Sequence, residues 1–261
     1  MSSPLVVTTE GVAVVKFNPY HDKGGRFASS PWSSTQIAAL DKKYAKQIKA
    51  GSRYCASAAK ALEKDPSSRM LQERMAGAAF GMANIRRAYM KDLGLSPAEI
   101  SKADKMVEEW GKGKMEGSAL LRGMASGKDD ALGAAATWTQ SVLRVQGLDF
   151  VTVYRGVYGP QAEGILQGKS SASNLSIAAR DAASWSGSKT VAERFAKGEF
   201  QMAGTERGRG AGAVLERQIK ASEVLVHHVA FPDKFDWPWE AEYVVAGDGF
   251  TMASSSVSEV R

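Results

Sequence analysis

Leu148-Asp-Phe-Val-Thr-Val-Tyr-Arg-Gly-Val157 is where the periodicity of this chain changes. Within it, Phe150-Val-Thr-Val-Tyr154 is β-branched and aromatic, as a buried strand is. Upstream, apolar residues recur every three or four positions, the signature of helices. Ile37, Leu40, Tyr44 and Ile48 form one such stripe, opening from Ser34. A second helix is expected over Tyr54–Glu63, stopped by Asp65-Pro66 because proline cannot continue it. A third spans Ser68–Leu93, with Leu71, Met75, Ala78, Ala79, Met82, Ile85 and Tyr89 on its apolar side and Gly94 as a left-handed cap. Ser96-Pro97-Ala98-Glu99 is a capping box with proline at the first helical position. It opens a helix carrying Ile100, Met106, Val107 and Trp110, and further helical stretches are expected over Gly117–Gly123 and Asp129–Gln146.

Downstream the strand-like pattern persists. Val214–Ile219, Val224–Phe231 and Tyr243–Val245 read as strands. One helix interrupts them, closed by Ala192–Ala196 and capped by Thr190. Helices first and strands afterwards give an α+β chain rather than an alternating one. Residues 1–34 read as an irregular N-terminal arm. There Val6-Val7-Thr8-Thr9 and Val12-Ala13-Val14-Val15 can pair as a hairpin around Glu10-Gly11, followed by a segment dense in turn formers. Residues 35–95 form a helical region, and the rest of the chain, 96–261, a further domain.

Bulk properties narrow the function classes. The chain is 44% hydrophobic and 24% charged, with no apolar run long enough to span a bilayer, so no membrane partner is expected. The start, Met1-Ser-Ser-Pro-Leu-Val-Val, lacks a basic stretch followed by an apolar one, so no general secretion signal is expected. The net charge of +6 favours acidic partners or anionic ligands. Its basic residues are spread at helical spacing among acids, which reads as solvated helix faces and leaves nucleic acid an unsupported partner. A single Cys55, in an Ala-rich helical run, excludes an internal disulfide and reads as a core residue. His227 and His228 are adjacent, so on a strand they point to opposite faces and cannot share an ion. No metal site is expected.

Three pieces of the second half carry chemistry. Tyr154-Arg155-Gly156-Val157 places an arginine at the end of a strand; its rigid fork suits a phosphate or an ion-pair partner alike. Gly156 allows a ligand close approach to the backbone. Ser184-Trp185-Ser186, then Gly-Ser-Lys-Thr and Val191-Ala-Glu-Arg-Phe195, puts both serines on one face of an extended segment with Trp185 opposite. Trp237-Pro-Trp-Glu240-Ala-Glu242-Tyr243 sets two carboxylates on one side of a strand mouth, either as solvated acids or as a pair whose differing burial divides acid and base roles.

In this order the pieces resemble the Arg–Ser–Glu signature of the ADP-ribosyltransferases of the arginine-modifying toxin and ecto-enzyme branch. Val107-Glu-Glu-Trp110 and Ala119-Leu-Leu-Arg122 are similar to the helices preceding that family's first core strand, so the resemblance covers roughly residues 100–250. It implies a helical region followed by a split-β-sheet transferase domain over 96–261, with NAD as co-substrate. By the same resemblance Glu242 contacts the ribose 2′-hydroxyl and stabilises the oxocarbenium-like charge, and Glu240 orients an acceptor guanidinium. Arg155 holds the phosphates and the Gly156 backbone holds the nicotinamide amide. Ser184 fixes the glutamate and the ribose, and Ser186 supports the fold beneath. The loop Phe231–Trp239, with exposed aromatic residues, meets the target protein. The chain departs from the family at Trp185, where threonine is usual.

Phe17-Asn-Pro-Tyr-His-Asp-Lys-Gly-Gly-Arg-Phe-Ala-Ser of the arm is similar to a segment of tailed-phage head and portal-associated proteins. That implies packaging in a virion beside capsid or portal proteins and action in the host cytoplasm. The leading expectation is a mono-ADP-ribosyltransferase acting on a protein arginine. The alternatives are an NAD glycohydrolase, a virion structural or interaction protein with an inactive transferase fold, and a nucleic-acid-modifying transferase.

Overall fold

Among the described residues four helices build the first half. α1 (Ser34–Lys64) starts at a capping box in which the Ser33 hydroxyl accepts from the Gln36 N–H and the Gln36 side chain accepts from the Ser33 N–H. It runs unbroken through the stretch expected to separate two helices. Gly51 is tolerated there because α2 (Arg69–Asp92) crosses against it: a Cβ at Gly51 would collide with the Met82 sulfur. α2 ends as expected, with Gly94 at φ 97° and the Leu95 N–H donating back to the Met90 carbonyl at 3.2 Å. The capping box of Ser96 and Glu99 opens α3 (Pro97–Gly111), and α4 (Asp130–Val145) completes the set. The computed structural model describes residues 5–7, 32–65, 67–112, 130–177, 182–199, 210–235, 241–246 and 250–260; the helix expected at Gly117–Gly123 lies outside them.

The second half is mixed. Its elements are β2 (Phe150–Tyr158), α5 (Pro160–Ser171), β3 (Asn174–Ile177), β4 (Ala182–Ser186), α6 (Lys189–Ala196), β5 (Gly212–Lys220), β6 (Val224–His227), β7 (Glu242–Ala246), β8 (Phe250–Ala253) and β9 (Val257–Val260). Six of these strands form an antiparallel sheet in the order β6-β7-β4-β2-β5-β9. A second, three-stranded sheet has the order β1-β3-β8, where β1 is Leu5–Val7. The protein is therefore α+β, with an N-terminal helical region and an antiparallel sheet.

Of the arm before Trp32, only Leu5–Val7 is described. Leu5–Val7 pairs in parallel with β3, Leu5 opposite Leu175 and Val7 opposite Ile177. A β-branched segment satisfies its backbone groups equally well on an existing sheet edge as on its neighbour in sequence. Its expected hairpin partner, Val12–Val15, lies outside the described residues.

Among the described residues the two largest of four hydrophobic clusters hold the molecule together. One joins the four helices to the sheet end, uniting Tyr44, Ile48, Met82, Tyr89, Val107 and Trp138 with Leu225, Val226, Phe231, Phe235 and Val244. The other lies on the opposite face of the sheet, where Val151, Val153, Val157, Leu215 and Val245 meet Ile165 of α5 and Leu175 of β3. Val244 and Val245 thus face different cores, as strand alternation requires. Cys55 is 1% exposed in the helical core, where burial pushes its thiol up to about 12. That is the unreactive behaviour expected of a packing residue.

At the heart of the helical core sits an arginine. Arg86 is fully buried; its guanidinium pairs with Asp104 of α3 and, through both terminal nitrogens, with Asp233. It also lies over the Phe231 ring, 4.5 Å from the centroid. Such a charge is tolerable only because every face of the fork has a partner. Phe231 and Phe235, expected on an exposed target-binding loop, are 0% and 7% exposed. Phe231 and Phe235 are core because they pack against the helices, Phe231 under Arg86; Trp237 and Trp239 lie outside the described residues.

Candidate active site

β2 is the central element. Against β5 it is in register along its whole length, Phe150 opposite Lys220 through Tyr158 opposite Gly212. Against β4 the one register pair is Tyr154 with Ser186. Beyond that pair the strands part, and the gap is a cleft of about 360 Å³ lined by Tyr154, Arg155, Gly156, Ser184, Phe195 and Glu242. A volume of this size lies in the range of small-molecule sites, roughly 300–1,000 Å³. The three separate sequence pieces thus converge on one concavity.

Strand alternation explains the convergence. Ser186 opposes Glu242 and Ser184 opposes Val244, so both serines and the carboxylate share one face. Trp185, 3% exposed, faces the other way into the second core, as expected. The indole therefore packs in the second core, while the residue also borders the cleft. Ser186 acts locally. Its hydroxyl accepts from the Ser188 N–H at 2.9 Å, tying the strand end to the turn into α6. Ser188, not Thr190, is the N-cap of that helix and accepts from the Val191 N–H. The helix begins before its first apolar residue, and the last extended residue ahead of it takes the cap.

Glu242 is the focus. The Ser184 hydroxyl donates to its Oε1 at 2.5 Å, and the Trp110 indole N–H, from the last turn of α3, donates to the same oxygen at 3.1 Å. Burial raises the carboxyl above the usual range, while the bonds from Ser184 and Trp110 pull it back down. The result is a carboxylate held in place by donors at the floor of a half-closed cleft. The residue before it, Ala241, has φ 50°, a left-handed conformation costly for a residue with a Cβ. Its carbonyl accepts from the Gly187 N–H at 2.8 Å, which holds the turn. Glu240 lies outside the described residues. The alternation that put it on the side of Glu242 assumed extended backbone through Ala241, and Ala241 is not extended.

Gly156 is required for a different reason from the one expected. A Cβ there would overlap the Ala192 carbonyl and crowd the Ala196 nitrogen of α6. The missing side chain admits the helix, and the backbone of Gly156 borders the cleft as a consequence. Arg155 also borders the cleft, sharing strand parity with Val153 and Val157. It therefore reaches the cleft where β2 and β4 part, from the face opposite to Ser184.

No match emerges from comparison with protein-family models, with curated proteins or with solved structures. Among the described residues no helix is long and apolar enough to cross a membrane, and no His, Cys, Asp and Glu side chains are grouped to hold a metal ion.

The histidines correct an expectation. His227 ends β6 and His228 begins a turn, so their rings meet edge to face, 4.4 Å apart, instead of pointing to opposite faces. His227 also stacks on Tyr243 at 4.1 Å. Both are buried and neither lines the cleft. Burial drives His227 well below the ordinary histidine range, assisted by His228, and takes His228 down to about 4 against the opposing bond to the Glu242 backbone.

Trp110 belongs to a segment that the sequence marked only as a helix preceding the first core strand, with no role at the site. It stands 132 positions from Glu242, and no local spacing links the two. Tyr154 and Phe195 stand within the strand-end and helix motifs, but nothing in those motifs places them in the cleft, which they line.

Proposed function

We propose that the chain is a mono-ADP-ribosyltransferase that uses NAD and acts on a protein arginine. The observation that carries this reading is the convergence of Arg155, Gly156, Ser184 and Glu242 on one cleft, with Ser184 bonded to Glu242 at 2.5 Å. The division of the strands into sheets of six and three supports the split-sheet transferase fold that the sequence resemblance implies.

The donors present fit such a dinucleotide. Arg155 offers a charged fork to a pyrophosphate, and the Gly156 backbone offers amide groups to a carboxamide. Ser184 and Glu242 are placed to hold a ribose hydroxyl. NAD supplies the glycosidic bond whose cleavage releases nicotinamide through an oxocarbenium-like state. Glu242, ionised, accepts a hydrogen bond from the 2′-hydroxyl and balances the developing positive charge, and it does so more strongly for being partly withdrawn from water. Ser184 orients that carboxylate. Glu240, by the resemblance, aligns the acceptor guanidinium and takes its proton, a role worth roughly 10²–10⁴-fold.

The deciding experiment is transfer of label from NAD to a host-cell lysate and to agmatine, using wild type, Glu242→Ala and Glu240→Ala. Label on both acceptors, lost in both variants, supports the transferase. Nicotinamide release without labelled acceptor makes the protein a glycohydrolase. Neither label nor nicotinamide overturns the enzyme reading and leaves a binding or virion protein.

A further inference from the structure

Among the described residues, a side chain of the helical half reaches the carboxylate that lines the cleft. Trp110 lies on the last turn of α3, and its indole N–H reaches Glu242 Oε1 across 132 residues of sequence. The end of α3 is anchored on several sides. Asp104 pairs with buried Arg86, which in turn grips Asp233. Glu108 pairs with Lys234 at 3.3 Å and with Lys112. Gly111 packs so closely that a Cβ would strike the Lys234 carbonyl. Val107 is fully buried one turn earlier. A helix end tied in this way holds the indole to a fixed direction.

An indole has one donor, and it is directional. Core packing alone would be served by phenylalanine. Both described bonds to the carboxylate, from Ser184 and Trp110, fall on Oε1. Neither of these donors uses Oε2, the oxygen that the transferase reading gives to a substrate. Two donors from different elements, a strand and a helix, fix both the position and the tilt of the carboxylate plane; one donor would leave it free to swing.

We infer that Trp110 is a positioning residue, whose indole N–H orients Glu242 so that Oε2 meets the substrate. The catalytic consequence rests on the transferase reading; the hydrogen bond itself does not. Among the described residues the other titratable groups near Glu242 are Tyr154 and Arg155, which line the same cleft, Tyr243 beside it, and the buried His227 and His228. None of them changes in the variants used below.

Trp110→Phe keeps the ring and removes the donor. In the full-length protein it deletes one of the six tryptophan indole N–H signals in an NMR spectrum, which assigns that signal. In wild type the assigned signal shifts with pH as Glu242 titrates, and in Glu242→Gln that shift disappears. Trp110→Phe itself moves the Glu242 carboxyl titration to higher pH, because a donor that favours the ionised form is gone. In turnover, Trp110→Phe lowers kcat about tenfold with KM for NAD little changed, and moves the acid limb of the pH–rate profile upward. An indole signal indifferent to the state of Glu242, or a Glu242 titration unmoved in Trp110→Phe, overturns the inference whether or not the protein is an enzyme. A wild type inactive toward NAD, with the indole signal still following Glu242, overturns the transferase reading alone. Trp110→Ala serves as the packing control: a variant whose Tm falls while Trp110→Phe keeps the wild-type Tm separates the loss of the ring from the loss of the donor.

Discussion

Ser184 and Glu242 are diagonal neighbours on β4 and β7: Ser184 opposes Val244, Glu242 opposes Ser186, and the hydroxyl reaches across to the carboxylate at 2.5 Å. A diagonal on a twisted antiparallel pair spans about 7–8 Å between Cα atoms, within reach of a glutamate and a serine together. Removing the hydroxyl leaves the strand pairing untouched. Ser184→Ala is therefore expected to lower NAD turnover about 10- to 100-fold, the range for one hydrogen bond to a charged group, with urea unfolding close to wild type. A large loss of stability instead would make the serine a structural element of the sheet.

Glu242 itself costs stability. Burial raises its carboxyl in the folded state, so the protein holds a proton more tightly there than the unfolded chain does. Stability from this group is present below the unfolded value, near 4.3, and lost as pH rises through the folded one. Glu242→Gln is accordingly expected to be at least as stable as wild type at pH 7, with the difference shrinking toward pH 4, and inactive throughout. On the transferase reading, wild-type NAD turnover is expected to fade on the acid side, at a pH above that of an ordinary carboxylate. Urea midpoints at several pH values, beside a pH–rate profile, check both statements.

The buried histidines work in the opposite sense. Held neutral, they leave the unfolded chain binding more protons as pH falls below about 6.5. For His228, titrating at about 4, the stability at stake across that window is roughly 3 kcal/mol. A steep fall in unfolding free energy between pH 6.5 and 4.5 is expected. His227→Phe keeps the stack on Tyr243, removes two ring nitrogens that have no described partner, and flattens that slope. An unchanged slope would show that the acid sensitivity arises elsewhere.

Arg86 supplies a further prediction. Truncating one member of a buried ionic cluster leaves its partners desolvated and unpaired, at a cost of about 3–5 kcal/mol. Arg86→Met should lose a large part of that in chemical denaturation, since Asp104 then keeps only Arg87 and Asp233 only Lys234, each at 3.6 Å. Neutralising them as well, with Asp104→Asn and Asp233→Asn, should restore part of it.

Gly156→Ala probes the contact between β2 and α6. The added methyl has no room between the strand and Ala192, so α6 must move or β2 must bend, at about 1–3 kcal/mol. A stable variant with normal unfolding would mean that the helix yields freely.

What could be read in the sequence follows from how local its cause is. The capping box at Ser96, the glycine stop at Gly94 and the core strand after Leu148 each depend on residues within a few positions, and each stands where expected. The opposite orientation of Trp185 and its flanking serines follows from alternation alone. The join of two expected helices into α1 could not be read, because the reason Gly51 survives mid-helix is Met82 on another helix. Short strands such as Asn174–Ile177 and Val257–Val260 carry too few apolar residues to announce themselves, and their partners lie far along the chain. α5 did leave a trace, since Pro160 at its first turn follows a glycine with positive φ. In the candidate site, Arg155, Gly156, Ser184 and Glu242 were legible as strand-end motifs, whereas Trp110 depends on how α3 docks.

The core that binds the four helices to Leu225, Val226, Phe231 and Val244 also decides how this protein can be divided. Severing the chain near residue 95 would strip the lid from one end of the sheet and leave Arg86's two acidic partners without their cation. The halves are thus bound to melt together, and a heat-capacity trace should contain a single peak. Any relative that exchanged the segment before residue 95 for another would have to bring its own cation for Asp104 and Asp233, so the two parts are constrained to change in step.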